Sequence, residues 1–335
     1  MRIGFACKAD TANGRYRVII PATEMVRRGH SAVAYNSRDT ESLATRTPPW
    51  DLLHMHQIVG DDTIAIVERL KQHGIAVVWD CDDDIRSAPR MRETRRRVGG
   101  RRKLKRVHDE AVAMARAAHL MTTTNEHLAQ IYRDAGVEHI AVIGNHLEQA
   151  WLPGRPRRHQ GVVVGIVASI EHAPDVEQLR IAETLRRIQA EHDHVSVVAF
   201  GVDLKLRERY SHLPRVPFDQ LLDRTRDFDI GLAPLVDSPF NRARSDVKLK
   251  EYAVAGVPWL ASPVGPYRSF GEAQGGQLVD ADGWHAAIDA LVRDPHRRSQ
   301  LTARGTAWAR TQTIRSAGNA WERAFRGAVG RAKRI

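Results

Sequence analysis

Cysteine is nearly absent: the chain has two in 335 residues, Cys7 and Cys81. Each sits at the end of an apolar run, so a disulfide framework is not expected and a reducing, cytoplasmic setting fits best. Long apolar runs are missing too. No stretch approaches the roughly 20 apolar residues that a membrane-spanning helix needs. The opening MRIGFACKAD meets Gly and Asp too early to read as a signal peptide. Zinc-ligand spacing and aromatic residues interleaved with basic ones are likewise lacking, which argues against sequence-specific nucleic-acid recognition.

Positive charge is in excess. Lys and Arg number 51 against 40 Asp and Glu, a formal net charge of +11, which favours anionic partners. The densest run, PRMRETRRRVGGRRKLKRVHDE from Pro89 to Glu110, reads first as a solvated helix face. Peripheral contact of the stretch 90–106 with the inner face of a membrane, or with an anionic acceptor, is the other reading.

Short apolar runs alternate with helical patterns. MRIGFAC, SAVAY, DLLHMH, IAVVWDC, HLMTTT and HIAVIGN read as strands. Between them lie helices at Tyr16–Gly29, Asp61–His73, Arg101–Ala118 and Glu126–Ala135. The Pro- and Gly-containing WLPGRPRRHQG breaks the pattern, which restarts with VVVGIVAS, a helix from Pro174 to His192, HVSVVAFG, a helix from Phe218 to Arg226, DIGLAPL, a helix from Asp246 to Ala255, and VPWLAS. Strands separated by helices of about 10–15 residues imply βαβ units and parallel sheets. The expected architecture is α/β, with two Rossmann-like doubly wound domains facing a cleft. Residues 1–152 form the first, 153–160 a linker and 161–311 the second, with a helix at about 312–335 packing back on the first. Ligands of such sheets bind beyond the carboxyl ends of the strands.

The polar clusters fall at those ends. The segment from Asp229 to Tyr267 reads strand, polar loop, helix, Gly stop, strand. Its helix is expected to start near Ser245 as N-cap, offering unpaired N–H groups to a diphosphate. Arg242 and Arg244 precede it, Lys248 lies one turn in, and Glu251 follows at i+3, placed for ribose hydroxyls. After the first strand, KADTANGRYR carries Gly14, whose access to positive φ would let the backbone approach phosphate, then Arg15 and Arg17. His54 and His56 point to opposite faces of their strand; His56 is the better candidate for sugar contact and His54 for a core position. Asp80, Asp82, Asp83 and Asp84 crowd the exit of the fourth strand. They read either as a metal-binding Asp-x-Asp or as acceptor-side carboxylates, one serving as base; Asp84 also reads as a helix cap.

The Asp229–Tyr267 segment resembles the donor-binding region of GT-B glycosyltransferases, in particular their large group-1 (family 4) retaining class. Glu251, Gly256, Pro258 and Ser262 match its Glu-…-Gly-x-Pro-x-x-x-Ser pattern. DLLHMH, the turn with Asn145 and DRTRDFDIGLAPL resemble further parts of the class. Two departures stand out. Ala243 occupies the place of a first glutamate spaced Glu-x7-Glu, and ASIEHAPD replaces the usual basic residues after the first strand of the second domain. The chain is closer to a subgroup with Ser-x-x-His-x-x-Asp there and Ser-x-x-Lys-x-x-Glu-Tyr in the helix.

The resemblance implies a nucleoside diphosphate sugar as donor and no metal or other cofactor. The acceptor would be a glycan, lipid-linked or small molecule, and retention of configuration is implied. The implied donor contacts are Gly14, Arg15, Ser169, His172, Gly201, Val216, Phe218, Arg244, Ser245, Lys248 and Glu251; the implied catalytic set is His56, Asp82, Lys248 and Glu251. A non-catalytic relative that binds a nucleotide sugar or anionic polymer is the alternative.

Overall fold

The computed structural model describes residues 1–7, 12–36, 50–88, 101–151, 153–154 and 159–334. Among these residues the chain forms two compact units. One comprises Met1–Glu148, Ala243–Ser245 and Ile314–Ile335; the other comprises Gln149–Arg242 and Asp246–Thr313. The division falls a few residues before the expected linker, of which residues 155–158 lie outside the description. Trp151 belongs to the second unit, where its ring stacks on Phe218 at 5.1 Å.

The first unit is a six-stranded parallel sheet in the order β2-β1-β3-β4-β5-β6. Its strands are β1 (Arg2–Cys7), β2 (Ser31–Asn36), β3 (Leu52–His56), β4 (Ala76–Asp80), β5 (Leu120–Thr123) and β6 (Ile140–Val142). The central strands β3, β4 and β5 are buried along their whole length, as strands covered on both faces must be, and this is why they read as continuous apolar runs. Chain order reverses between β1 and β3, so the switch point lies at Cys7 and His56, which pair in register.

The segment after β1 departs from the expected single helix. Ala12–Gly14 is a short α-helical turn, Arg15–Ile19 a π-helical turn, and a longer α-helix runs over Ile20–Arg27. Pro21 has no N–H to donate to the carbonyl of Arg17, so the i→i−4 ladder is interrupted there. The widened turn contains Arg17, which is 0% exposed.

The C-terminal helix Ile314–Ala332 packs in this unit against β3 and β4. Phe325 meets Phe5 edge-on at 5.6 Å, and Trp321 meets His54 at 5.6 Å. Arg28 is paired with Glu322 at 2.6 Å. The helix Arg101–Ala117 buries Leu104, Ala111 and Met114 and leaves Arg102, Lys103, Lys105 and Arg106 exposed. Lys105 and Arg106 pair with Asp109 and Glu110 one turn on. The rest of the basic stretch, 90–100, lies outside the described residues.

The second unit is also a six-stranded parallel sheet: β7 (Val162–Ala168), β8 (Val195–Gly201), β9 (Tyr210–Leu213), β10 (Ile230–Ala233), β11 (Trp259–Ala261) and β12 (Gly276–Leu278), ordered β12-β11-β10-β7-β8-β9. Counted from its own first strand this is the 3-2-1-4-5-6 Rossmann order. The two edge strands β9 and β12, with sequences YSHL and GQL, have no apolar run and are not legible as strands. An edge strand is paired on one side only and needs little two-sided burial.

Instead of one helix from Pro174 to His192 there are two, Ala173–Gln178 and Ile181–Glu191, separated where Arg180 turns left-handed at φ 52°. Ile181, Leu185 and Ile188 face the core with Val164, Ile166 and Val197.

Candidate functional site

The second sheet reverses chain order between β7 and β10, so the loops after these two strands border a crevice at their carboxyl ends. Asp175, 3% exposed, ties the two loops together. Its Oδ1 accepts from the Val236 backbone N–H at 3.0 Å and from Asn241 Nδ2 at 2.7 Å. Its Oδ2 holds His172 Nδ1 at 2.9 Å. Ser169 is exposed at the start of the same turn and caps nothing with its side chain.

The helix Val247–Ala255 follows β10. Lys248 and Glu251 are hydrogen-bonded to each other, Glu251 almost buried and Lys248 partly so. The helix starts later than expected and Ser245 does not cap it. Asp246 occupies the cap position without a capping bond, because its carboxylate is drawn to the buried Lys250 at 2.9 Å. Gly256 ends the helix at φ 83°, and Ser262 accepts from the Leu235 N–H at 2.9 Å. The Gly and Ser of the motif thus stop a helix and hold a strand exit, leaving Lys248 and Glu251 as its chemically available pair.

Gly201 ends β8 at φ 89°, and a Cβ there would lie 2.2 Å from the Ala168 carbonyl oxygen. The positive φ and this backbone approach both call for glycine there. Gly201→Ala is expected to destabilise the fold by about 1–3 kcal/mol, a drop of roughly 2–10 °C in the unfolding midpoint measured by calorimetry. Val216 and Phe218 follow β9, both half-buried, with Phe218 against Trp151.

In the first unit, the exits of β3 and β4 build a buried polar cluster. Asp80, 0% exposed, accepts from Arg17 Nη2 at 2.7 Å and from Thr122 Oγ1 at 2.5 Å. His56 Nδ1 lies 2.8 Å from Asp80 Oδ1, and His56 Nε2 lies 3.7 Å from Asp82 Oδ1. Burial alone would raise the Asp80 carboxyl, but the Arg17 charge and the hydrogen bonds from both histidines and Arg17 hold it well below the usual carboxylate range. His56 is disfavoured as a cation by burial, yet the bond to Asp80 and the charge of Asp82 raise it above an ordinary histidine. His54, fully buried against Phe5, Trp321 and Phe325, is pushed down by burial and is a core residue.

Asp82 is different. Burial and the neighbouring Asp83 charge push its carboxyl up to about 6. A carboxyl raised on folding contributes stability that is complete below its unfolded pKa near 4 and is lost as pH rises through 6. Asp82→Asn is therefore expected to raise the unfolding midpoint at pH 8 and leave it unchanged near pH 4, as thermal scans at the two pH values will show.

The remaining first-unit residues separate. Asp83 accepts from Arg244 at 3.0 Å and from Asn13 at 3.3 Å. Asp84 heads the turn Ile85–Ser87 but makes no capping bond, so its expected cap is not formed. The four aspartates do not converge on one point. Among the described residues, the group with metal-ligand spacing is Glu191, His192 and Asp289 in the second unit, where Arg187 and Arg293 pair with the two carboxylates. Gly14 is right-handed at φ −58°, so positive φ is not its reason for being glycine. Arg15 lies half-buried in the π turn beside it. Ala243 is fully buried in the first unit's core, its carbonyl bound by Asn125 at 2.7 Å, and Ser245 accepts from Asn145 at 3.2 Å.

No protein-family model and no curated protein matches the sequence. Solved structures do. HepE of Anabaena, in complex with UDP and glucose, superposes with a TM-score of 0.67 at 15% identity over 97% of this chain and 99% of its own. Sucrose-phosphate synthase from Thermosynechococcus elongatus gives 0.69 at 12% over 97% and 98%. TarM gives 0.58 at 12% over 82% of this chain and 54% of its own. The chain has the GT-B fold.

Within each half of this GT-B fold the expected residues gather at strand ends. His56 and Asp82 meet in the first half, and Lys248 and Glu251 meet in the second. Two contributors carry no signal in the sequence. Asn241 is a polar residue of the short helix Pro239–Arg242, and Asp175 reads only as part of a motif although it joins the segments after β7 and β10. The burial of Arg17 could have been suspected from Pro21 following it inside a helical pattern.

Proposed function

We propose that the chain is a glycosyltransferase that moves a sugar from a nucleoside diphosphate sugar to a hydroxyl-bearing acceptor. The observation that carries this reading is Asp175 fastening the loops after β7 and β10, with His172 on its second oxygen. That is the switch point of a Rossmann-ordered sheet, where anionic nucleotides bind. The similarity in fold to HepE, solved with UDP-glucose, supports a uridine-type or related donor of the hexosyl class.

In this reading Lys248 and His172 neutralise the charge that develops on the leaving diphosphate, and Glu251 receives ribose hydroxyls. Before donor binds, Lys248 neutralises Glu251. The incoming diphosphate draws the ammonium away and frees the carboxylate. Retention of configuration and independence of metal belong to the proposal through the family resemblance. So do a glycan, lipid-linked or small-molecule acceptor and a cytoplasmic location with peripheral membrane contact. No described helix is long and apolar enough to cross a membrane.

A thermal-shift panel of nucleoside diphosphates and their sugars tests the reading. A ligand at one hundred times its Kd stabilises by about 2.7 kcal/mol, worth roughly 5–10 °C in a unit of this size. If no member of the panel moves the midpoint, the reading fails. Burial of Ala243 where the class has a carboxylate favours a second reading, a non-catalytic nucleotide-sugar binder. Donor stabilisation without any transfer or hydrolysis would establish it.

A further inference from the structure

At the amino ends of β8 and β9, the end of the second sheet opposite the crevice, lies a cavity of about 560 Å³. It is lined by Arg186 and Gln189 of the helix Ile181–Glu191 and by Lys205, Arg207, Glu208 and Arg209 of the segment that enters β9. Four cations therefore surround one carboxylate. Arg209 is committed to the fold: its Nη1 donates to the His192 carbonyl at 2.9 Å and its Nη2 to the Gln189 carbonyl at 2.6 Å. Gln189 Nε2 in turn covers the carbonyls of Glu208 at 3.0 Å and Arg209 at 3.1 Å. The backbone oxygens that could repel an anion here are thus already bound. Arg186, Lys205 and Arg207 are exposed, and among the described residues their side chains have no ion-pair or hydrogen-bond partner.

The segment that carries these cations is fixed. Asp203 Oδ1 accepts from the Lys205 N–H and from the Tyr210 hydroxyl, both at 2.9 Å, and the Leu204 N–H donates to the Tyr210 oxygen at 2.9 Å. Leu204 and Leu206 are buried in the core of the unit. The backbone turns left-handed at Lys205, φ 52°, and again at Arg209, φ 47°. Glycine adopts that conformation freely, whereas a residue with a side chain is strained in it. Arg209 has a structural reason to be arginine, since its guanidinium closes the end of a helix. Lys205 has none: the fold needs the bend and makes no use of the ammonium. A cation kept where glycine would be easier points to a contact outside the chain.

We propose that Arg186, Lys205 and Arg207 form a second anion site on this unit, remote from the crevice, for a ligand that carries two or more phosphoryl groups. The cavity has the size of an ordinary small-molecule site. Guanidinium groups grip phosphoryl oxygens two at a time and the ammonium adds a point charge. Three uncompensated cations at one cavity call for more than the single charge of a carboxylate. A free oligophosphate and a phosphate-rich polymer present the same chemistry to them. The site does not depend on the transferase reading, because none of its residues borders the crevice.

Backbone amide spectra of the intact chain, recorded while tripolyphosphate or long-chain polyphosphate is added, test the site. The amides from Lys205 to Arg209 should shift and saturate, whether or not those after β7 and β10 respond at the crevice. Sodium sulfate at matched ionic strength should leave them in place. Lys205→Gly and Arg207→Gln should each weaken the binding read at these amides about 10-fold or more. Lys205→Gly should do so without lowering the unfolding midpoint, since glycine relieves the left-handed turn. Tighter binding of the long chain assigns the site to a polymer, and equal binding of the two assigns it to a small phosphate. Amides that stay still with both probes, or that sulfate moves equally, overturn the proposal. So does a Lys205→Gly variant that binds as the wild type does. Lys248→Ala should leave these shifts unchanged, so failure at the crevice and failure here are read separately.

Discussion

Lys248→Ala is expected to slow donor turnover by about two to three orders of magnitude, the loss seen when one preorganised donor to a developing oxyanion is removed. The ammonium is partly exposed and hydrogen-bonded to a nearly buried Glu251, so the charge is held in one place before donor arrives. Little reorganisation is needed when it shifts from carboxylate to diphosphate. Stability should also fall, because Glu251 then keeps its burial and loses its cation; a carboxylate in that state costs about 1–3 kcal/mol. Glu251→Gln separates the two effects: it keeps the shape, removes the buried charge and should weaken donor binding while sparing the midpoint. Single-turnover kinetics with a radiolabelled donor, beside thermal scans, measure both. Full activity in Lys248→Ala would show that the diphosphate sits elsewhere.

The largest loss of stability is expected from Arg17→Met. Methionine fills much of the space, yet it leaves Asp80 in a site of 0% exposure with its main counter-charge gone. Breaking a fully buried ion pair from one side costs about 3–5 kcal/mol, roughly 6–20 °C in the midpoint of the unit that contains it. The double variant Arg17→Met with Asp80→Leu should recover a large part of this, since removing both charges removes the uncompensated one. If the single variant unfolds with the wild type, the pair is not desolvated as described.

The sequence shows most where side chains are buried on both faces. β3 and β4 read as strands because they are buried along their whole length and their runs are mostly apolar. The edge strands β9 and β12 do not, since one-sided pairing leaves YSHL and GQL free to be polar. The paired Lys248 and Glu251 follow from helical spacing, which puts i and i+3 on one face. The links through Asp175 and Arg17 are long-range: Asp175 reaches Val236 and Asn241 across a crossover, and Arg17 reaches Asp80 and Asn145 from a turn of unusual width. Periodicity carries no information about such contacts. Gly14 shows the opposite error, in which a glycine between strand and helix suggests a left-handed turn that the backbone does not adopt.

The helix Ile314–Ala332 lays Trp321 and Phe325 on His54 and Phe5 and brings an aromatic ring to Arg17, so the first unit is completed by a segment that follows the whole second unit in the chain. On a ribosome adding about 5–20 residues per second, the sheet that carries His56 waits roughly ten to thirty seconds with that apolar face bare. Nascent chains arrested before Ile314 should therefore be those that engage chaperones and proteases.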